Sequence, residues 1–352
     1  MTAYRDRAVL VIGGLGFIGG RLSSALADAG AKVTVITPSR QKHHEAAIDL
    51  EARGVRVVDG DVRDRAQMES AVRAQDVIFN LAGQSGAVRS MEEPWDDLDV
   101  NARGMLTLVE AVRRGNPGAR VVFTGSRLEY GRVGSDPVAE THDTDPLCLH
   151  AVHKLVAEEY LRLYERLFGM SYAVARITNP YGPGQPRART AYGVVNRLIH
   201  LALAGDALPI YGDGRQRRDY IYIDDVVAAL LTLGTAVTNN IYNVGTGVGT
   251  SIVEMAKAIV AAAGGGRLEF VAWPALAEQI ETGDFVADIA RIRADLGWQP
   301  TVALDRRWRR MHAAFRKTRA TLFSLARLSP FASVSCASQV VVWEKDGRKS
   351  LS

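Results

Sequence analysis

The sequence predicts an α/β fold, a doubly wound parallel sheet with helices on both faces, joined by a smaller mixed α/β region. Three observations carry that expectation. Short Val- and Ile-rich runs alternate with amphipathic helical runs through the first half of the 352 residues. The first of these runs ends in a cluster of glycines. After Asn179 the alternation gives way to a Pro/Gly loop, NPYGPGQP, and then to mixed short elements.

Taken in order, AVLVIGG is a buried strand, and GGRLSSALADAG is a helix closed by Gly30. KVTVIT, VRVVDGDV and DVIFNLAG are the second, third and fourth strands. DVNARGMLTLVEAVRRGN is helical, ARVVFTGS is the fifth strand, HAVHKLVAEEYLRLYERLFG is the next helix and SYAVARI the sixth strand. Strands joined by helices form βαβ units, so both faces of the sheet are covered. Residues 1–179 are expected to form a dinucleotide-binding domain, with segments near 220–247 returning to it. Residues 180–317 are expected to form a substrate-binding region, and 318–352 an extension of unassigned role. No Ser/Gly linker separates the regions and no solenoid repeat is present, so one body with a cleft is expected.

Apolar residues make up 47% and charged residues 23%, an ordinary balance for a globular enzyme-sized chain. Arg5, Asp6 and Arg7 lead straight into the first strand, so no secretory leader is expected, and no uncharged apolar run has transmembrane length. With two cysteines, Cys148 and Cys336, a disulfide framework is not expected and a reducing cytoplasm is the default. The net charge of +4 is unevenly placed: residues 305–352 hold 11 Lys+Arg against 3 Asp+Glu, and the rest is net acidic. Nucleic-acid binding by the main body therefore gains nothing from the basic pI. Within that end, RKTRATLFSLARL (316–328) is basic and partly amphipathic, which fits either an anionic membrane surface or a loosely packed extension.

Gly13, Gly16 and Gly19 form G-x-x-G-x-x-G between the first strand and helix. Such a turn, with the helix-opening Phe17 and Ile18, lets a pyrophosphate approach the helix N-terminus closely. The end of the second strand, where a carboxylate would read the adenosine ribose, has instead Thr37, Pro38, Ser39 and Arg40. Two hydroxyls and a guanidinium suit a 2′-phosphate, so NAD or NADP is expected, with NADP slightly favoured. Asp61 and Val62 in GDVRD are placed to receive the adenine.

With these motifs the chain resembles the extended short-chain dehydrogenase/reductases of the NAD-dependent epimerase/dehydratase family, which modify nucleotide-activated sugars. GGLGFIGG, GDVRD, NLAGQSGAVRS, VVFTGSRLEYG, HAVHKLVAEEY, RITNPYGPGQ, IYGDGRQRRDYIYIDDVV and IYNVGTG follow the family's order from residue 8 to about 315. The resemblance implies a Rossmann fold and a homodimer pairing through helices near 98–114 and 150–168, with Leu106, Val109, Val112, Leu155, Leu161 and Leu163 at the seam. It also implies Leu81, Ala82 and Gly83 along the cofactor, with Lys154 on the nicotinamide ribose, and Ser126 holding the reacting sugar oxygen. Gln84, Ser85, Arg127, Asn179 and Arg218 would face the substrate, Arg218 gripping its pyrophosphate. Asp224 and Asp225 are expected to serve the following helix as cap and first-turn acids.

One position departs from the pattern. The family's P-x-x-x-Y-x-x-x-K is met at Pro146 and Lys154, but His150 stands where tyrosine is expected. Spacing i, i+4 still puts His150 and Lys154 on one helix face. Imidazole titrates near working pH and can exchange protons as phenol does, although its shorter reach calls for a bridging water. His150 as a space-filler in an inert site is the competing reading. His150-x-x-His153 with Cys148 or His142 falls short of a convergent ligand set, so no metal is expected, and His153 is expected on the helix surface. Arg127 and Leu128 occupy the positions where dehydratases carry an acidic pair and decarboxylases a Glu, which argues against both reactions. An NAD(P)-dependent epimerase that removes and returns hydride is the favoured activity. An NADPH-dependent keto-sugar reductase and a non-catalytic sugar-nucleotide-binding protein are the alternatives.

Overall fold

The structure is a computed structural model and describes residues 2–38, 40–134, 137–184 and 193–301. The strands are β1 (Ala8–Ile12), β2 (Lys32–Thr37), β3 (Arg56–Asp59), β4 (Val77–Asn80), β5 (Arg120–Ser126), β6 (Ser171–Ile177), β7 (Asn179–Tyr181), β8 (Ala207–Tyr211), β9 (Arg217–Tyr222), β10 (Asn240–Val244), β11 (Gly249–Ser251) and β12 (Arg267–Val271). Seven of them form one sheet in the order β10-β6-β5-β4-β1-β2-β3, every neighbouring pair parallel. A three-stranded sheet, β11-β9-β7, and a parallel pair, β12-β8, are the other sheets among the described residues.

The helices that matter for the site are α1 (Phe17–Asp28), α2 (His44–Ala52), α3 (Arg65–Ala71), α4 (Ala87–Glu92), α5 (Pro94–Asp97), α6 (Gly104–Gly115), α7 (Leu149–Phe168), α8 (Val194–Ala204), α9 (Ile223–Thr235) and α10 (Ile252–Ala263). Alternation along β1 shows why both faces are covered. Val9 and Val11 pack with Leu22 and Leu26 of α1 and Val226 and Leu230 of α9. Leu10 and Ile12, turned the other way, pack with Met105, Leu108 and Val112 of α6 and Leu161 of α7. Truncating one such leucine to alanine costs about 2–5 kcal/mol. None of the described helices is long and apolar enough to cross a membrane.

Two details differ from the sequence reading. The run beginning DVNARG opens as a π turn, Leu98–Arg103, and becomes α-helical only at Gly104. Of the six expected seam residues, Val109, Val112 and Leu161 are fully buried in this chain's own core; Leu106 and Leu163 are the exposed ones. Periodicity marks an apolar face but does not say whether the sheet or a second subunit covers it. Ser39, Gln185 and Pro186 at the end of the Pro/Gly loop, and everything from Val302 on, which takes in the basic run 316–328 and the 318–352 extension, lie outside the described residues.

Strand order reverses between β1 and β4, which opens a crevice at their carboxyl ends. All the residues discussed next converge on that end of the sheet or on the small sheet beside it.

Candidate active site

The glycine turn closes one side of the crevice. Gly13 has φ +81°, and a Cβ there would lie 2.9 Å from the Leu81 and Ala82 backbone, so the two strand ends approach as only glycine allows. A Cβ on Gly19 would strike the Gly13 carbonyl, which lets α1 start hard against the turn. Gly16 is the N-cap of α1, without a side-chain capping bond, so the amides that follow it at Phe17 and Ile18 lack an intrahelical acceptor. On the floor, a Cβ on Gly83 would sit 2.8 Å from Asn101 Oδ1 and 3.3 Å from Lys154 Nζ. Asn101 Oδ1 is buried with no hydrogen-bond partner among the described residues, while its Nδ2 donates to the Gln84 carbonyl at 3.1 Å. An unpaired buried acceptor beside a lysine and a glycine-lined gap fits a polar cofactor edge.

Thr37, at 2% exposure, ends β2. Arg40 reaches Glu51 at 2.7 Å and the Val57 carbonyl at 3.3 Å. The Asp61 carboxylate is held by Arg63 at 2.6 and 2.9 Å, and Val62 lies under Gly104.

His150 and Lys154 lie on the buried face of α7. Lys154 donates to the Thr124 carbonyl at 2.9 Å, with its ammonium 4.6 Å from the Phe123 ring centroid. Burial pulls it down to about 8 against the pull of Glu129, Asp97 and Glu158. Behind the histidine stands Asp97, the last residue of α5, with no exposed surface. Its Oδ1 bonds His153 Nδ1 at 2.6 Å, and its Oδ2 faces His150 Nδ1 at 3.6 Å. The last two atoms are both buried and unpartnered, so they face each other just outside bonding reach. Burial lowers the His150 pKa below 6.5, Asp97 pulls it back up, and the Lys154 cation adds to the lowering. Burial works to raise the Asp97 carboxyl, but the two imidazoles and Asn101 outweigh it and hold it below the ordinary carboxylate range.

Ser126 ends β5. Its Oγ accepts from the Leu128 amide at 3.2 Å, and its own amide donates to Glu129 Oε1 at 2.6 Å. The Ser126 hydroxyl keeps its proton to donate. Beneath it lies a closed ionic core: Arg176 contacts Glu129 at 2.9 Å and Glu158 at 2.7 Å, all three essentially without exposed surface. Burial and the neighbouring Glu158 push the Glu129 carboxyl well up, against the pull of Arg176 and the Ser126 amide. Tyr130 cannot stand in for a missing acid/base. It is 1% exposed, donates to Asn243 Oδ1 at 2.7 Å, and burial moves it to about 12.

On the small-sheet side, Arg127 donates to Asn179 Oδ1 at 3.3 Å and to Thr282 Oγ1 at 2.9 Å. Asn179 donates to the Asp219 carbonyl at 2.9 Å. Arg218 is bound by Glu281 and the Gly283 carbonyl. An open cleft of about 350 Å³ adjoins it, lined by Arg132, Gln216, Trp273, Glu281 and Gly283 among others. Gln84 and Ser85 follow Gly83 at the mouth, Gln84 bonding Glu93 at 3.3 Å. Asp224 and Asp225 sit in the first turn of α9, but neither caps it: Asp224 pairs with Arg21 at 2.8 Å and Asp225 accepts from Thr301 at 2.9 Å.

The fold thus places His150 and Lys154 on the buried face of α7, Ser126 at the end of β5, and Arg127 against Asn179. It corrects the reading of His153, which is 7% exposed and bonded to Asp97 rather than spread on the surface. Asp97, Asn101, Thr282 and Glu281 were not found from the sequence; Asp97 is 56 positions before His153, and no motif joins them. Among the described residues, no group of three His, Cys, Asp or Glu is arranged to hold a metal.

A family model described as "NAD dependent epimerase/dehydratase family" matches residues 9–245. The UDP-glucose 4-epimerase of Mycolicibacterium smegmatis is 33% identical over 302 residues, 84% of this chain and 94% of that one. Among solved structures, UDP-glucose 4-epimerase from Thermotoga maritima, with UDP-glucose, superposes with a TM-score of 0.80 at 28% identity, over 89% of this chain and 99% of that chain. The Thermus thermophilus UDP-glucose 4-epimerase, in complex with NAD, gives 0.79 at 30% identity, over 88% and 99%.

Proposed function

The chain belongs to the NAD-dependent epimerase/dehydratase family, and from that premise we propose that it is a nucleotide-sugar epimerase in which His150 is the acid/base. The observation that carries the reading is His150 itself: buried beside Lys154 on one face of α7, with the Asp97 carboxylate opposite its Nδ1.

A bound NAD would supply the hydride acceptor that this reaction needs at the sugar carbon, and the same carrier would give the hydride back on the opposite face. Gly13, Gly16, Gly19, the amides of Phe17 and Ile18, and Leu81 to Gly83 would hold it, with Lys154 and Asn101 at the nicotinamide end. Arg40 supports acceptance of NADP too. Its pair with Glu51 is exposed, worth at most about 1 kcal/mol, and a 2′-phosphate can displace it. The chain's own groups manage the proton. Neutral His150, kept so by burial and Lys154, accepts the hydroxyl proton at Nε2, on the side of the ring away from Asp97. Asp97 stabilises the imidazolium that forms, and the same ring returns the proton after the sugar turns over. Ser126 donates to the reacting oxygen. Asn179 and Arg218 hold the diphosphate, and the cleft beside Arg218 receives the base. The absence of a carboxylate at Arg127 and Leu128 supports epimerisation over dehydration.

The test is to incubate the purified protein with uridine and thymidine diphosphosugars and NAD⁺ or NADP⁺, following epimers by NMR. His150→Ala is expected to lose about 10²–10⁴-fold in turnover, the usual worth of a general base, with cofactor affinity near normal. Equal turnover in His150→Ala removes His150 from the chemistry. Tight sugar-nucleotide binding without any conversion in the wild type favours a binding protein instead.

A further inference from the structure

We propose that His153 is a positioning residue for the acid/base: by engaging one oxygen of Asp97 it holds that carboxylate back from His150, which keeps the His150 ring a usable base. This rests on the reading of His150 given above. His153 stands three residues after His150 on the buried face of α7, so the two rings are neighbours along one side of the helix. Each is 7% exposed and Asp97 not at all, so little solvent screens the three groups from one another.

The carboxylate is divided unequally between them. Oδ1 meets His153 Nδ1 at 2.6 Å, a short charge-assisted bond, whereas Oδ2 stops 3.6 Å from His150 Nδ1. An ionised carboxylate can only accept, so His153 carries its hydrogen on Nδ1 and donates it. The terminal torsion of an aspartate is broad, and the carboxylate could turn to either ring with little resistance. The bond to His153 fixes that torsion, leaving Oδ2 aimed at His150 but short of it, with both of those atoms buried and unpartnered.

That gap suits a base. With Asp97 bonded fully to it, His150 would hold a proton over a wider pH range and be neutral less often. Without any carboxylate, it would take a proton too weakly. The groups acting on His150 bear this out: burial lowers its pKa, Asp97 from α5 raises it, Lys154 on its own helix lowers it, and the Gln84 carbonyl after β4 raises it. Glu129 and Glu158 act on Lys154 from the far side. The charged residues of α4 and of the π turn form pairs of their own at the surface, Arg89 with Glu93 and Arg103 with Asp99. Asp97 is therefore the carboxylate whose placement sets the ring, and His153 sets that placement.

The experiment follows the histidine ring resonances of ¹⁵N-labelled, ligand-free protein from about pH 4 to about pH 9, a range that brackets imidazole ionisation, with His150→Ala assigning the His150 signal. Alongside it, kcat for the uridine and thymidine diphosphosugars with NAD⁺ is measured over the same range. His153→Leu fills the site without a donor and frees Asp97 to close on His150. The His150 pKa should then rise by about one unit, and the acid limb of kcat should move up with it. His153→Asn puts an amide nitrogen near the place of His153 Nδ1 and should bring both back towards wild type. In an Asp97→Asn background, His153→Leu should move neither. His153→Met gives the same comparison should the leucine variant not fold. An unchanged His150 pKa in folded His153→Leu overturns the proposal, as does a shift that persists in the Asp97→Asn background; either makes His153 a packing residue. A fall in that pKa also overturns it, because His153 would then aim Asp97 at His150 rather than restrain it. The two readings fail separately. A ring that shifts while kcat keeps its acid limb upholds the restraint on Asp97 and removes His150 from the chemistry. An acid limb that follows His150, with no shift in His153→Leu, removes His153 alone.

Discussion

Replacing Asp97 by Asn keeps the side chain's volume and its bond to His153 but removes the charge facing His150. Unit charges about 4 Å apart interact by about 4 kcal/mol at an effective dielectric of about 20. The 3.6 Å separation of His150 Nδ1 and Asp97 Oδ2 lies in that range. The carboxylate is shared with His153 at 2.6 Å, so roughly half of the interaction is left for the imidazolium that forms on His150. A loss of about 2 kcal/mol is about 30-fold in turnover. The pH profile adds a signed check. Burial lowers the His150 pKa and Asp97 opposes it, so neutralising Asp97 lets that pKa fall further. The acid limb of kcat should therefore move to lower pH while the plateau drops. The assay is steady-state epimer formation between pH 4.5 and 8, with circular dichroism confirming an intact fold. Turnover within twofold of wild type, or a limb that moves to higher pH, refutes the pairing of Asp97 with His150.

Lys154, pulled down to about 8 by burial, should lose its charge as pH rises through that value, so NAD affinity should fall there and the step should vanish in Lys154→Met. Because its folded pKa lies below the unfolded one, the same group adds stability across that rise from about 8 to about 10.4, a trend opposite to affinity that denaturant melts would reveal. Arg40→Ala should weaken NADP more than NAD in a fluorescence titration; an unchanged ratio removes Arg40 from cofactor selection. Arg176→Met leaves buried carboxyls without their cation and should cost about 3–5 kcal/mol in urea unfolding. Glu129→Gln, at the carboxyl that burial and Glu158 push upward, should cost under about 1 kcal/mol, and a loss equal to that of Arg176→Met would count against that direction. A homodimer through α6 and α7 would bury Leu106, Leu163, Leu167 and Phe168, all at least a third exposed. Light scattering should show a dimer that Leu163→Glu dissociates.

Much of this protein was legible in one dimension because the signals are local. The continuous apolar run AVLVI and the glycines after it specify a buried strand, a turn and a helix start through contacts only a few residues long. The i, i+4 spacing of His150 and Lys154 specifies one helix face by the same kind of geometry. The sequence by itself therefore determined the doubly wound sheet, the cofactor turn and the departure at residue 150. Tertiary structure decided which charges meet. Asp97 comes to His150 and His153 only because α5 packs against α7, and Arg127 lies beside Thr282 because the chain returns 155 residues later. It also turned Val109, Val112 and Leu161 towards the sheet rather than a partner, since an apolar face does not encode what covers it. The physical reason is common to these cases. Burial and Coulomb interaction act through space over a few ångströms, and sequence separation says nothing about that distance until the fold has closed.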